Sequence, residues 1–215
     1  MRAMQIAILA LVALVTVSTP ARADEGDETV AKRVVVGARL GVFLPQLSSA
    51  LGTHLTATLE GGYILPWIDG RLQAFGALSY TQPERSADGL PDGRLPEADS
   101  AYTFTTVQRE LAFDAGFLLR FLPIETRFNA YFCTGLRVLW LQTETSGRAG
   151  DEKFGTNYEQ STKIGFTSGL GAEVILGPGR VMLQVSFGYS QLQHGLTGNV
   201  PTGALAASAG YRFVF

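Results

Sequence analysis

The sequence is short of the residues that usually carry metal and redox chemistry. It has one cysteine, Cys133, so no internal disulfide can form and no cysteine-based metal site can be assembled. It has two histidines, His54 and His194. No His/Cys cluster has metal-site spacing, and no phosphate loop or nucleotide motif is present, so no cofactor is implied. Lysine is also scarce: 3 of the 17 basic residues are lysine and 14 are arginine. Arginine suits fixed, buried ion pairs, whereas lysine suits solvated surfaces. The formal net charge of -2 argues against a nucleic-acid partner.

Long apolar runs are missing as well. The uncharged stretch from Ile6 to Val17 covers 12 residues, and a spanning helix needs about 20. Arg2 before it and Ala21-Arg22-Ala23 after it complete a secretory signal peptide over residues 1–23. The acidic stretch Asp24 to Glu28 opens a short solvated tail over residues 24–33. With an outer-membrane destination, that tail lies on the periplasmic side.

What the sequence does have, from residue 34 to 215, is period-two alternation of apolar and polar residues. It predicts an all-β domain of eight strands: Val34–Phe43, His54–Leu65, Arg71–Tyr80, Thr103–Phe121, Thr126–Gln142, Lys163–Leu176, Arg180–Ser190 and Ala204–Phe215. Three connections are short and contain proline: residues 66–70, 122–125 and 177–179. The other four, 44–53, 81–102, 143–162 and 191–203, are longer. In an up-and-down arrangement all short turns fall at one end and all long loops at the other, as in antiparallel transmembrane β-barrels.

A soluble ligand-binding barrel also alternates, but with its apolar face inward. The two faces separate the cases. One face carries Leu111, Phe113, Phe117, Leu119, Phe128, Phe132, Leu136, Val138, Trp140, Val181, Leu183, Val185 and Phe187, with no charge in the central band. Arg109 shares that register beyond the band. The other face carries Arg39, Glu60, Glu110, Asp114, Arg120, Arg137, Glu173 and Arg212, with Arg71, Arg127, Lys163 and Arg180 in the same register, interspersed with glycines. Lipid excludes charge, and an eight-strand lumen is just wide enough for side chains to fill. The sequence therefore predicts an inverted barrel, with Glu60, Glu110, Asp114 and Glu173 paired to Arg39, Arg120, Arg137 and Arg212 across the lumen. Tyr63, Trp67, Phe121, Phe128, Phe213 and Phe215 mark one interface. Phe104, Tyr80, Trp140 and Tyr189 mark the other.

The last strand alternates Leu205, Ala207, Ala209, Tyr211, Phe213 and the terminal Phe215 with small and polar residues. This ending resembles the C-terminal assembly signal of bacterial outer-membrane barrels. Together, Gly188-Tyr189-Ser190-Gln191-Leu192 and Ala209-Gly210-Tyr211-Arg212-Phe213 resemble the closing hairpin of the small outer-membrane-protein β-barrel superfamily, which includes the transmembrane domain of outer membrane protein A. The resemblance implies an outer-membrane location among lipids and lipopolysaccharide. It also implies periplasmic chaperones and the barrel-assembly machinery as partners, with Tyr211, Phe213 and Phe215 as the signal.

Catalytic constellations are weak. Lipid A deacylases are also small barrels, with a His-x-Ser-Asn motif near the last strands. Here the stretch runs His194-Gly195-Leu196-Thr197-Gly198-Asn199, with the wrong spacing and no serine. An enzyme would need His194 to meet Thr197 or Ser190 and a carboxylate. Glu110 and Asp114, four apart on one strand, sit roughly 13 Å apart, too far for a catalytic pair. Cys133 reads as an inert small residue on the polar face. The favoured reading is a non-enzymatic envelope barrel with a structural or surface-interaction role. A lipid-modifying enzyme and a small solute channel are the alternatives. Loops 81–102 and 143–162 are the expected points of contact with outside partners.

Overall fold

The computed structural model describes residues 33–44, 53–89, 102–149, 152–191 and 201–215. The chain separates into two units, Met1–Ala31 and Lys32–Phe215. The expected signal peptide, and the tail up to residue 32, lie outside the described residues.

The second unit is antiparallel β throughout its described elements. In chain order the strands are β1 (Val34–Leu44), β2 (His54–Ile64), β3 (Leu72–Thr81), β4 (Glu84–Gly89), β5 (Tyr102–Arg120), β6 (Phe128–Ala149), β7 (Glu152–Leu176), β8 (Gly179–Gln191) and β9 (Pro201–Val214). Each is hydrogen-bonded to its neighbours in the order β3-β2-β1-β9-β8-β7-β6-β5-β4, and β3 also pairs with β5. That last pairing closes the sheet into a barrel. β3 and β4 form one interrupted stave: both run along β5, and the break falls at Gln82-Pro83. Proline has no N–H for the ladder. Its carbonyl still accepts from the Gln108 amide at 2.8 Å, which keeps β4 in line. The wall is therefore eight staves built from nine segments, as the alternation predicts.

The register fixes the barrel's dimensions. Following paired residues around the wall gives Val34, Tyr63, Ala74, Phe117, Thr134, Ser168, Phe187 and Leu205, and returns to β1 at Leu44. The circuit closes ten residues above its start. With strands about 4.8 Å apart and about 3.3 Å per residue, that stagger sets a strand tilt of about 40° and a backbone radius of about 8 Å. A tube of that size is filled by side chains and leaves no open pore.

The outward face is apolar and the inward face is polar. Leu55, Leu136, Ile164, Leu170 and Leu183 are among many large apolar residues left exposed, with Leu136 at 68% and Ile164 at 73%. Glu60, Asp114, Arg120, Asn129, Glu173, Arg180, Gln184 and Arg212 are buried. Water would drive the opposite arrangement, so this distribution suits a wall surrounded by lipid. A small apolar cluster of Leu118, Tyr131, Cys133 and Met182, with Phe75 against it, also fills part of the lumen.

Three expectations need correction. The segments 81–102 and 143–162 are not simply loops, because β4 occupies 84–89 and the β6–β7 pair continues to Ala149 and from Glu152. These extensions are rich in threonine and polar on both sides. Where both faces meet water, the period-two signal vanishes although threonine still favours strand. Phe104 has the register parity of Glu110 and Arg120, so it does not belong to a lipid-facing ring. Arg71, Thr126 and Arg127, expected within strands, sit in turns just before β3 and β6; Arg71 lies 3.7 Å from the exposed Asp69.

The short turns carry specific devices. Asn129 is buried and holds the turn after β5. Its Oδ1 accepts from the Leu122 amide at 3.1 Å, and its Nδ2 donates to the Leu122 and Pro123 carbonyls at 2.7 and 3.1 Å. In the first turn, Ile68, Asp69 and Gly70 all take left-handed conformations, at φ 56°, 53° and 67°. Left-handed backbone costs an L-residue roughly 1–2 kcal/mol, and a β-branched residue suits it least. Glycine removes that strain but returns about 0.5–1 kcal/mol through the unfolded chain. Ile68→Gly is therefore expected to raise stability by about 0.5–1 kcal/mol, read as a higher urea midpoint for the barrel in lipid vesicles.

Candidate functional site

The candidate site is the charged lumen, and it divides into two clusters. In the periplasmic half, by the polarity assigned from loop lengths, Glu173 of β7 receives three arginines. Its Oε1 accepts from Arg120 Nε at 2.7 Å and from Arg180 Nη1 at 3.1 Å; its Oε2 accepts from Arg212 Nη1 at 3.0 Å. Arg212 also grips Glu60 with two donors, Nε to Oε1 and Nη2 to Oε2. Arg39 reaches the same carboxylate at 3.7 Å. Arg120 turns its Nη2 to Gln73 Oε1 at 2.8 Å. The Arg212 guanidinium lies 4.7 Å from the centre of the Tyr131 ring, and the Tyr131 hydroxyl donates to Gln184 at 3.1 Å. Six of the eight barrel staves contribute a charged side chain to this one network.

Nearer the other end, Arg137 donates to Asp114 through Nε at 2.7 Å and Nη2 at 2.8 Å, a bidentate fork. These two residues are direct neighbours across β5 and β6. The guanidinium fits because position 188 is glycine: a Cβ there would collide with Arg137 Nη1. Glu110 is buried and accepts from Gln108, with no salt bridge to an arginine among the described residues. The structure thus places Glu60, Asp114, Glu173, Arg39, Arg120, Arg137 and Arg212 in two networks and leaves Glu110 with an amide partner. Arg180, opening β8, joins Glu173 as a third cation. Its register parity and the short turn at 177–179 were visible in the sequence, but its diagonal reach from β8 to Glu173 on β7 was not.

The outer rim supplies the remaining candidates. His54 Nε2 accepts from the Glu84 backbone amide at 3.0 Å, so this ring ties β2 to the start of β4. Ser190 is buried on the lumen side of β8. His194 and Thr197 lie outside the described residues. Cys133 is a buried free thiol, packed beside Leu118 and Tyr131. No group of three or more potential metal ligands occurs among the described residues. On the outside, Tyr80, Leu111, Trp140 and Thr162 align across four staves. Arg109 stands exposed one outward position above that row, beside Gln142. At the opposite end, Tyr211, Phe213 and Phe215 form a ladder of ring contacts, 4.8 Å between the first two centroids and 6.2 Å between the last two. The terminal residue is anchored at both backbone groups: Phe215 N donates to Val34 O at 2.8 Å, and its carbonyl accepts from Val34 N at 3.0 Å.

A major outer membrane protein from Thermus thermophilus superposes with a TM-score of 0.58 at 12% identity, covering 85% of this chain and 98% of that one. This chain has the fold of an outer-membrane β-barrel. Outer membrane protein OprG from Pseudomonas aeruginosa gives a TM-score of 0.49 at 12% identity, covering 85% of this chain and 94% of that one. The outer membrane enzyme PagL gives 0.42 at 16%, covering 83% and 98%. No protein-family model matches the sequence, and no curated protein matches it. At these identities the outer-membrane-barrel likeness is one of fold, and the chain's role rests on its own residues.

Proposed function

We propose that this chain is exported by a cleaved signal peptide and resides in the bacterial outer membrane as a non-conducting, non-enzymatic barrel that carries a tall surface sheet. The carrying observation is the pairing of an apolar exterior with a lumen closed by arginine–carboxylate bridges. Tyr211, Phe213 and Phe215 serve as the assembly signal read by periplasmic chaperones and the barrel-assembly machinery. Above Trp140, β6 runs nine residues further to Ala149 and carries β5, β4 and β7 beside it. That amounts to roughly 30 Å of strand. It gives the protein a polar platform outside the membrane for contact with its surroundings.

The solute-channel reading is disfavoured by Arg120, Glu173 and Arg212, all nearly inaccessible and bonded across the lumen. The purified barrel in a planar bilayer is expected to show no steady ohmic conductance. Discrete open levels in most insertions would instead establish a channel. Folded protein in detergent is expected to migrate differently in gels before and after boiling. Recovery of the native protein as a soluble periplasmic species would sink the membrane reading.

Lipopolysaccharide is the proposed neighbour in the outer leaflet. Arg109 stands just above the Tyr80–Trp140 row, where lipid phosphates lie, and arginine binds phosphate through paired N–H groups. Arg109→Ala is expected to weaken lipopolysaccharide binding about two- to fivefold, the scale of one exposed ion pair. Unchanged binding in a direct titration would remove Arg109 from this role.

A further inference from the structure

The outward face of the wall does not end at the membrane. Odd-numbered residues of β5 and even-numbered residues of β6 face lipid up to Leu111 and Trp140, and the same parity continues in three ranks above them. The first rank holds Arg109, Gln142 and Gln160. The second holds Glu84, Val107, Glu144 and Tyr158. The third is a line of hydroxyls, Ser86, Thr105, Ser146 and Thr156. Within each rank the residues are direct partners across neighbouring strands, so the ranks form one surface continuous with the lipid-facing wall.

Height decides what lies against this surface. Each rank rises two residues, roughly 7 Å along the strand. At a tilt of about 40°, the second and third ranks stand about 10 and 15 Å above the Trp140 row. The headgroup layer of a phospholipid leaflet is roughly 5–8 Å deep. A phospholipid therefore reaches the first rank and leaves the other two bare. A lipid with a saccharide headgroup reaches all three.

The chemistry of the face suits a saccharide. Tyr158 is 54% exposed and offers an amphipathic ring for the C–H face of a sugar. Glu84 and Glu144 can accept from sugar hydroxyls in charge-assisted bonds. Carboxamides and hydroxyls both donate and accept, as sugar hydroxyls do. Gln142, Glu144, Tyr158 and Gln160 make no side-chain hydrogen bond among the described residues, so their polar groups are open to a partner. Arg109 is the one cation in the three ranks, too little positive charge for a sulfated or phosphorylated chain.

We propose that this face binds the saccharide headgroup of a neighbouring outer-leaflet glycolipid, with Tyr158 stacked on a sugar ring and Glu84 and Glu144 accepting from its hydroxyls. The inference rests on lipopolysaccharide being the wall's neighbour. It assigns to the surface sheet the sugars that stand above the phosphates met by Arg109.

The test titrates the full mature barrel in detergent with lipopolysaccharide bearing its core oligosaccharide, and separately with lipid A, which lacks the core. The wild type is expected to bind the core-bearing form about tenfold tighter, the scale of one good stacking contact with its hydrogen bonds. Tyr158→Ala is expected to lose most of that preference, and Tyr158→Phe to keep it. Asn157→Ala, on the opposite face of the same strand, is expected to leave it unchanged. Affinity for lipid A is expected to be the same in all four proteins. Equal affinity of the wild type for the two lipids overturns the proposal while the lipopolysaccharide reading stands, because the face is then left to water or to a protein. A Tyr158→Ala barrel with an undiminished preference also overturns it. Failure to bind either lipid removes lipopolysaccharide as the neighbour, and the proposal with it.

Discussion

Glu173→Ala is expected to destabilise the folded barrel by about 3–5 kcal/mol, the cost of breaking a buried ion pair from one side. Glu173 is 1% exposed and accepts from Arg120, Arg180 and Arg212 at once. Removing it leaves Arg120 and Arg180 without a carboxylate partner and Arg212 with Glu60 alone. Because the pairs join β5, β7, β8 and β9, the loss is felt across half of the wall. Glu173→Gln is expected to cost less, since the amide oxygen can still accept one of these bonds while the charge is lost. Asp114→Ala is expected to cost less than Glu173→Ala, because it strands one arginine that is less deeply buried. Urea unfolding of each variant in lipid vesicles orders the three. A Glu173→Ala barrel as stable as the wild type would show that the lumen network does not contribute to stability.

Leu136→Arg tests the opposite face and is expected to cost about 2–4 kcal/mol, the range for a cation at mid-depth on a lipid-facing wall. Leu136 lies two residues from the midpoint of the spanning part of β6, between Phe128 and Trp140, and projects outward beside Ala115 and Phe166. In a water-soluble protein, arginine at a site 68% exposed would be neutral or favourable. The sign of this change therefore distinguishes lipid from water around the wall. The measurement is the folding free energy into vesicles, with the same substitution at exposed Tyr158, beyond the membrane band, as the control expected to be near neutral.

The eight staves were legible because their two sides face different media: apolar residues outside, charges and glycines inside. The same pattern separates this wall from that of a soluble barrel, as Leu111 to Leu119 set against Glu110 to Arg120 on a single strand show. Legibility failed where the difference between the media ended. Residues 143–149 and 152–162 remain strand, but with water on both sides they lose alternation and read as loop. Phe104 was misplaced for a related reason: an aromatic near a strand end suggests an interface, yet its parity points it inward. Among the lumen residues, charge type and parity gave the members of the network but not their partners. Glu60 meets Arg212 across β1, where both lie opposite Gly37, which has no side chain to separate them. Two facts need side-chain geometry: Glu110 rests on Gln108, and Asn129 clasps the Pro123 turn. Neither is available to a reading of spacing alone.

The central claim is that this wall lies in a bilayer with Trp67 and Trp140 at its two interfaces. These are the chain's two tryptophans, and both are exposed on the wall or its adjoining turn. The most direct test is their fluorescence in vesicles whose acyl chains carry bromine at defined depths. Quenching is expected to be strongest with bromine near the headgroups and weakest with bromine at the chain ends. Emission insensitive to bromine at every depth, or quenched most from the bilayer centre, would contradict it.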